Sequence, residues 1–232
     1  AICKGVGMLC PNMATMLMFI TTDVSISPEM LQKALSADVK DSLNMVSVDR
    51  DTSTNDTLCV MASGLAGNAV IDRADTDYKK FCRALHAVTT ALCKKIAADG
   101  EGATKLIECN VTGAKSKQIA RTVAKSVVCS NLLKAAIFGA DANWGRVLCA
   151  IGYSGAAVNV KKIGVSFTSA AGEIEVCEEG MGIDFSEDAA KKVLSEKEIG
   201  IQVNLHDGNY GATAWGCDLT YEYVHINGDY RS

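Results

Sequence analysis

The residues best suited to chemistry lie where a glycine-containing segment enters an apolar strand. Residues 4–17 read Lys-Gly-Val-Gly-Met-Leu-Cys-Pro-Asn-Met-Ala-Thr-Met-Leu, so Thr15 follows the small residue Ala14 and directly precedes the apolar run. A threonine at the start of a strand is common and by itself indicates only β structure. A threonine hydroxyl becomes a nucleophile when a general base lies beside it. The meaning of Thr15 therefore depends on the other polar motifs of the chain.

Four further polar motifs follow Thr15. They are residues 51–56 (Asp-Thr-Ser-Thr-Asn-Asp), 99–105 (Asp-Gly-Glu-Gly-Ala-Thr-Lys), 143–146 (Asn-Trp-Gly-Arg), and the C-terminal stretch from Asp218 to Ser232. In this order, and together with residues 4–17, they resemble the motifs of the ornithine acetyltransferase family. The resemblance spans nearly the whole chain, and five motifs in register make a chance match improbable.

The resemblance implies a self-cleaving precursor. Members of this family are cut between an alanine and a threonine, which here are Ala14 and Thr15. The hydroxyl attacks the preceding carbonyl, an N→O acyl shift gives an ester, and water splits it. The freed α-amine, with a reference pKa of about 7.7–8.0, can then serve as the general base. Thr15 would next take an acetyl group from N-acetylornithine and pass it to glutamate through an acetyl-threonine ester.

The resemblance also implies substrate contacts at Lys4, Thr15, Glu101, Asn227 and Ser232. Lys4 corresponds to a lysine whose ammonium suits an α-carboxylate. Glu101 corresponds to the acid that recognises the amino end of the substrate, and Asn227 and Ser232 to a polar pair that lines the pocket. Without the resemblance, Lys4 would be a solvated loop lysine, Glu101 a turn residue, and the C-terminal pair part of a frayed tail.

Two motifs have structural alternatives. Residues 51–56 either support the pocket or form a turn whose side chains bond to backbone. Trp144 and Arg146 receive no catalytic role, because packing and an ion pair explain them equally well. The chain departs from the family pattern at four positions: Arg50 replaces a glycine, Ala140 and Ala142 replace an arginine and a proline, and Ser232 replaces a threonine.

Composition and charge exclude several functional classes. The 232 residues carry a net charge of −4 and contain no Lys/Arg-rich run, which argues against nucleic acid as a partner. Apolar stretches stay well below the roughly 20 residues that a membrane span requires. The N-terminal residues do not form a signal peptide, so we predict a cytoplasmic protein, or a mitochondrial matrix protein in a eukaryote.

The ten cysteines and three histidines do not indicate a metal site. No Cys-x-x-Cys pair occurs, the histidines are far apart in sequence, and most cysteines lie in apolar segments. Such cysteines behave as small buried hydrophobes, so we expect free core thiols and neither disulfides nor metal. We expect no bound cofactor. Acetyl-CoA enters only as a second acetyl donor, and the sequence leaves its use open.

Apolar periodicity predicts alternating strands and helices. Strands are expected at 15–22, 57–62, 104–111, 158–160, 163–167, 199–205 and 212–224, and helices at 27–39, 78–96, 119–133, 144–152 and 186–194. This is an α/β (or α+β) pattern. The resemblance implies a layered α-β-β-α sandwich of the N-terminal-nucleophile type with a smaller C-terminal α/β lobe.

We predict three regions. Residues 1–14 end an upstream alpha segment, residues 15–152 form the catalytic lobe, and residues 153–232 form a C-terminal lobe whose tail returns to the active site. The resemblance implies that the upstream segment contributes the Thr-Gly oxyanion hole and that alpha and beta segments assemble into a higher oligomer, such as a heterotetramer.

Two other functions compete with this interpretation. A related self-processing aminopeptidase or amidase would use the same Thr15 but would not need Lys4, Glu101 and Asn227 around an amino-acid-sized pocket. A non-catalytic binding domain would leave the Ala14–Thr15 bond intact.

Overall fold

The protein contains two compact units, Ala1–Ile96 and Ala97–Ser232, of which the computed structural model describes residues 1–5, 16–52 and 55–229. Both units combine helices and strands, which confirms the predicted mixed α/β class. The division expected near residue 153 lies inside the second unit, where strands from both sides of that point share one sheet.

The first unit is built around a three-stranded sheet. Its elements are β1 (Ile2–Lys4), β2 (Leu17–Thr22), α1 (Pro28–Asp38), β3 (Val46–Ser47), β4 (Thr57–Ala62) and α2 (Thr76–Ala98). The sheet order is β1-β2-β4, with β2 antiparallel to β1 and parallel to β4. Met18 and Ile20 of β2 are buried while Leu17 and Phe19 are exposed, as the two-residue period of a strand requires. The sheet therefore has one face in the core and one apolar face that is open.

The second unit contains a larger mixed sheet. Its elements are β5 (Leu106–Ala114), α3 (Lys117–Val128), α4 (Asn131–Phe138), α5 (Trp144–Gly152), β6 (Gly164–Ser169), β7 (Gly172–Glu178), β8 (Met181–Gly182), α6 (Glu187–Leu194), β9 (Glu198–Asn204), β10 (Tyr210–Cys217) and α7 (Tyr221–Asp229). Six strands lie in the order β10-β5-β9-β6-β7-β8. β5 runs parallel to β9 and antiparallel to β10. Ile107, Ile199 and Phe167 are almost fully buried, so the core lies against these central strands.

Three predicted elements differ in the structure. The helix expected over 119–133 is two helices, because Ser130 accepts a hydrogen bond from the Leu133 amide and begins α4. The strand expected over 212–224 ends at Cys217, and Tyr221–Asp229 is helical. A 3₁₀ turn at Val160–Lys162 occupies the end of the strand expected over 158–160. In each case a side chain that caps a helix or turn determines the local structure more strongly than the apolar residues around it.

The cysteines are only partly core residues. Cys93, Cys109, Cys177 and Cys217 are buried and free, as predicted. Cys149 contradicts the prediction, because it lies on the exposed side of α5 despite its apolar neighbours in sequence. A helix places successive residues on different faces, so an apolar run does not bury all of its members.

Candidate functional site

Two of the predicted substrate residues meet in the second unit. Glu101 lies in the turn between α2 and β5, and Asn227 lies on α7. The Asn227 side-chain amide donates to Oε2 of Glu101 at 2.9 Å and to the Tyr223 carbonyl oxygen at 3.0 Å. An ionised carboxylate has about four lone-pair sites on two oxygens, so Glu101 keeps capacity for a further donor such as a substrate ammonium.

Of the predicted substrate contacts in the first unit, the structure describes Lys4. It ends β1, is exposed, and pairs in register with Leu17 of β2. Leu17 is two residues beyond Thr15 in sequence. The antiparallel pairing therefore brings the Lys4 backbone beside the strand that begins just after the predicted nucleophile. Ala14, Thr15 and Ser232 lie outside the described residues, so their assigned roles stay predictions.

The 51–56 motif ends in an unusual carboxyl group. Both oxygens of Asp56 are covered from solvent and make no hydrogen bond to the described residues. Burial raises the pKa of Asp56 to about 6 from its usual value of 3.8, and the Met16 backbone amide nearby opposes this rise only in part. The next residue, Thr57, donates its amide to the Met16 carbonyl oxygen at 2.6 Å. Asp56 thus lies at the start of the β2–β4 pairing, close to the residue that follows Thr15.

Sequence reasoning left the 51–56 motif open and did not single out Asp56. The available signal was a carboxylate placed directly before an apolar strand, where its side chain becomes covered while its backbone enters the sheet. An ionised group in such a place costs free energy unless it is paired.

The 143–146 motif has structural contacts. Asn143 accepts a hydrogen bond from the Arg146 amide at 3.2 Å and so begins α5. The Arg146 guanidinium donates to the Leu132 carbonyl oxygen at 2.7 Å. The Trp144 ring packs so closely on Gly182 that a Cβ there would lie 2.4 Å from it. These contacts explain the motif without a catalytic role.

A cavity of about 520 Å³ lies in the first unit, between β2, β4 and α2. Its lining is mainly apolar and includes Ile20, Val60, Phe81 and Leu85. No predicted site residue lines it among the residues described. Its described lining consists of residues outside the five motifs.

Metal sites and membrane spans can be judged for the described part of the chain. No cluster of three or more His, Cys, Asp or Glu side chains there could hold a metal ion. No helix among the same residues is both long and apolar enough to cross a membrane.

Comparison with known proteins connects this geometry to one family. A model of the ArgJ family matches residues 1–232, the whole chain. The chain is 56% identical over 232 residues to the arginine biosynthesis bifunctional protein ArgJ 1 of Clostridium acetobutylicum, covering 100% of this chain and 57% of the relative. It is 53% identical over 231 residues to the arginine biosynthesis bifunctional protein ArgJ of Thermotoga neapolitana, covering 100% of this chain and 58% of the relative. The chain thus spans little more than half the length of these relatives.

A solved structure is also similar. The crystal structure of arginine biosynthesis bifunctional protein ArgJ from Bacillus halodurans superposes with a TM-score of 0.88 at 50% identity, covering 93% of this chain and 100% of that chain. This likeness confirms the predicted fold type, that of the N-terminal-nucleophile proteins. The family match likewise confirms the resemblance to the ornithine acetyltransferases of arginine biosynthesis. The chain belongs to the ArgJ family.

Proposed function

We propose that this chain is the nucleophile-bearing part of an acetyltransferase that moves an acetyl group from N-acetylornithine to glutamate. The observation that carries the proposal is the hydrogen-bonded pair of Glu101 and Asn227, which places two residues of separate family motifs side by side. The family match over all 232 residues supports the same reaction. A rival amidase would have no need for this pair.

The proposed chemistry begins with cleavage of the Ala14–Thr15 bond. The Thr15 hydroxyl then attacks the acetyl carbonyl of N-acetylornithine, while the α-amine of Thr15 takes the hydroxyl proton. The tetrahedral intermediate collapses, the amine of ornithine leaves with a proton, and an acetyl ester remains on Thr15. The amine of glutamate attacks this ester in the second half-reaction, which releases N-acetylglutamate and restores the hydroxyl.

Two charged side chains orient the substrates in this scheme. The Lys4 ammonium pairs with an α-carboxylate, as a point charge on a flexible side chain can do. The Glu101 carboxylate accepts from the side-chain ammonium of ornithine, a charge-assisted bond that is stronger than a neutral one. Ser232 is a further proposed substrate contact, and it keeps the hydroxyl of the threonine expected from the family.

The lengths of the relatives support a precursor that is cut. The two relatives quoted above are considerably longer than this chain, which covers 57% and 58% of them. The solved Bacillus halodurans chain is instead shorter than this chain, since 93% of this chain covers all of it. We propose that the upstream alpha segment remains associated and that the pairs assemble into a higher oligomer.

The relatives' names say that they are bifunctional. We propose that acetyl-CoA is the second acetyl donor, serving the same Thr15 and giving the same acetyl ester. This use would replace acetyl groups that are lost from the exchange cycle.

Acetyl exchange by the full precursor tests the proposal. Wild type, Thr15→Ala and the control Thr112→Ala, an exposed threonine on β5, are compared by intact mass and by acetyl transfer from N-acetylornithine to glutamate. We expect wild type and the control to be cut and active, and Thr15→Ala to be uncut and inactive. Acetyl exchange by Thr15→Ala would disprove the role of Thr15, and hydrolysis of N-acetylornithine with no transfer to glutamate would favour the amidase.

A further inference from the structure

Two polar side chains are buried between β10 and the first turn of α7. Asp218 is 3% exposed and Thr220 is 6% exposed, although both types usually lie at the surface. We propose that Thr220 and Asp218 are positioning residues for the Glu101 loop, which comprises residues 99–105. They hold this loop against α7 and thereby set the recognition of N-acetylornithine. This inference rests on the proposed function, in which Glu101 contacts the substrate.

The Thr220 hydroxyl joins the loop to the helix. It donates to the Gly102 carbonyl oxygen at 2.7 Å and accepts from the Tyr223 amide at 3.3 Å. The second bond is one that the side chain of an N-cap residue typically accepts from an amide in the first turn of its helix. The first bond uses the proton of the same hydroxyl on the residue next to Glu101. One side chain therefore couples the start of α7 to the substrate loop.

The backbone of the loop lies directly on the helix. Gly102 has a φ of +66°, and a Cβ at this position would lie 2.7 Å from the Tyr223 nitrogen and 2.9 Å from the Glu222 carbonyl carbon. Only glycine fits both the left-handed conformation and this close approach. The loop and α7 consequently have little freedom to shift against each other while the Thr220 bond is intact.

Asp218 fixes the other end of the loop. Its Oδ1 accepts from the Thr104 amide at 2.8 Å and from the Lys105 amide at 3.0 Å, and its Oδ2 accepts from the Thr104 hydroxyl. A carboxylate that accepts several bonds from one loop defines the path of that backbone. Because hydrogen bonds to a charged acceptor are stronger than neutral ones, Asp218 holds this segment more firmly than an amide would.

These bonds place Glu101 between two fixed points. Its backbone is bonded to Gly102, which Thr220 holds, and its carboxylate accepts from Asn227 on the same helix, α7. If the loop moved away from α7, the carboxylate would leave both Asn227 and the position in which it meets the substrate ammonium. Loss of this contact would weaken substrate binding in the ground state and the transition state alike, which raises KM and leaves kcat nearly unchanged.

A matched pair of substitutions tests the role of Thr220 in the full precursor. Thr220→Val keeps the shape but removes the hydroxyl, whereas Thr220→Ser keeps the hydroxyl. We expect Thr220→Val to raise the KM for N-acetylornithine by about tenfold with little change in kcat, the pattern of lost ground-state binding. Thr220→Ser should restore KM to near the wild-type value. Self-cleavage in both variants, followed by intact mass, reports that each protein has folded.

A second comparison distinguishes positioning from general loss of structure. If Thr220 acts through Glu101, then Thr220→Val should add little to the effect of Glu101→Gln, because residues that act as a unit are not additive. Should Thr220→Val fail to fold, Asp218→Asn, which keeps the shape and one acceptor oxygen, is expected to raise the same KM and to be equally non-additive with Glu101→Gln.

Two results would overturn the inference while leaving the proposed function intact. One is an equal KM for Thr220→Val and Thr220→Ser alongside a raised KM for Glu101→Gln. The other is a full, additive effect of Thr220→Val in the Glu101→Gln background. An unchanged KM in Glu101→Gln itself would remove Glu101 from the substrate site, and both the proposed contact and the inference would fall together.

Discussion

Asn227 donates a hydrogen bond of 2.9 Å to the carboxylate of Glu101, although 126 positions separate the two residues in the chain. The bond joins a turn that follows α2 to the last helix of the protein. The two residues belong to different sequence motifs, and nothing local would bring them together. Their pairing therefore depends on the tertiary fold of the second unit. The bond uses one oxygen of Glu101 and leaves the other carboxylate oxygen available for a further donor.

Replacing Glu101 by glutamine should weaken substrate recognition without preventing self-cleavage. The substitution keeps the shape and the bond to Asn227 but removes the charge that pairs with an ornithine ammonium. Loss of one charge-assisted hydrogen bond of about 1.5–3 kcal/mol predicts a fall in kcat/KM for N-acetylornithine of roughly one to two orders of magnitude. Steady-state acetyl exchange by the full precursor provides the measurement.

The control for this prediction is Glu196→Gln, which removes a carboxylate from an exposed turn before β9. It should leave kcat/KM unchanged. If Glu101→Gln and Glu196→Gln behave alike, Glu101 is only a turn residue.

The motifs gave the candidate site residues and periodicity gave the main elements of the fold. Thr15, Lys4, Glu101 and Asn227 come from the family resemblance, and the structure brings Glu101 and Asn227 together while the roles of all four stay predictions. Periodicity found α2 and β4 within a few residues, because both have a clear period and an unambiguous end. These are the features that short-range sequence patterns encode directly.

The parts that sequence reasoning missed depend on long-range contacts or on caps. Helix α7 was predicted as strand because Tyr221, Tyr223 and Val224 favour β structure, yet the Thr220 cap initiates a helix there. The covered carboxyl of Asp56 has a weak local signal, its place directly before an apolar strand, but its burial arises from pairing between β2 and β4. That pairing is not visible in a window of neighbouring residues.

Arg50 offers a test of backbone strain at one of the departures from the family pattern. Its φ is +74°, in the left-handed region that disfavours a side chain, and the family pattern has glycine there. Relief of strain should outweigh the added entropy of glycine in the unfolded chain, so Arg50→Gly should raise the free energy of unfolding by about 0.5–1 kcal/mol. Urea denaturation measures the change.

A matched glycine substitution in a helix should change the free energy of unfolding in the opposite direction. Lys33 is exposed on α1, and Lys33→Gly is expected to lower the free energy of unfolding by about 1 kcal/mol. A loss of stability in both variants would show that the left-handed conformation of Arg50 is not strained.

Asp56 should make stability depend on pH between about 4 and 6. Its folded pKa of about 6 lies above the usual value of 3.8, so the folded protein holds this proton more tightly than the unfolded chain does. Below pH 4 both states are protonated and no penalty exists. As pH rises through 6 the folded state must carry a covered charge, so stability falls across this interval.

Asp56→Asn removes that charge and should stabilise the protein at pH 7.5 by on the order of 1 kcal/mol, a value reduced for partial solvent access. At pH 4 the variant and the wild type should differ little. Thermal unfolding at both values of pH measures the difference, and Asp72→Asn, an exposed carboxylate, serves as the control. If Asp56→Asn gains the same stability over wild type at pH 4 and at pH 7.5, ionisation of Asp56 is excluded as the cause of that gain.

The last prediction concerns dependence on the upstream segment. Ile2, Leu17, Phe19 and Met61 expose 70%, 40%, 37% and 48% of their surface. Strand pairing places Ile2 opposite Phe19 and Met61 opposite Thr21, so all four lie on one face of the sheet. An open apolar face of this kind usually belongs to an interaction site. We expect the upstream alpha segment to cover it.

Residues 1–232 expressed alone should therefore bind a hydrophobic dye such as ANS and transfer acetyl groups weakly or not at all. The resemblance implies that the oxyanion donors belong to the upstream segment, and loss of even one such donor typically costs about 100- to 1000-fold in rate. Co-expression with the upstream segment should lower dye binding and restore acetyl exchange together. Phe19→Ser should weaken co-purification of the segments, whereas the control Val160→Ser, an exposed residue of the second unit, should not. Full activity of residues 1–232 alone would place the oxyanion donors within this chain and refute the dependence.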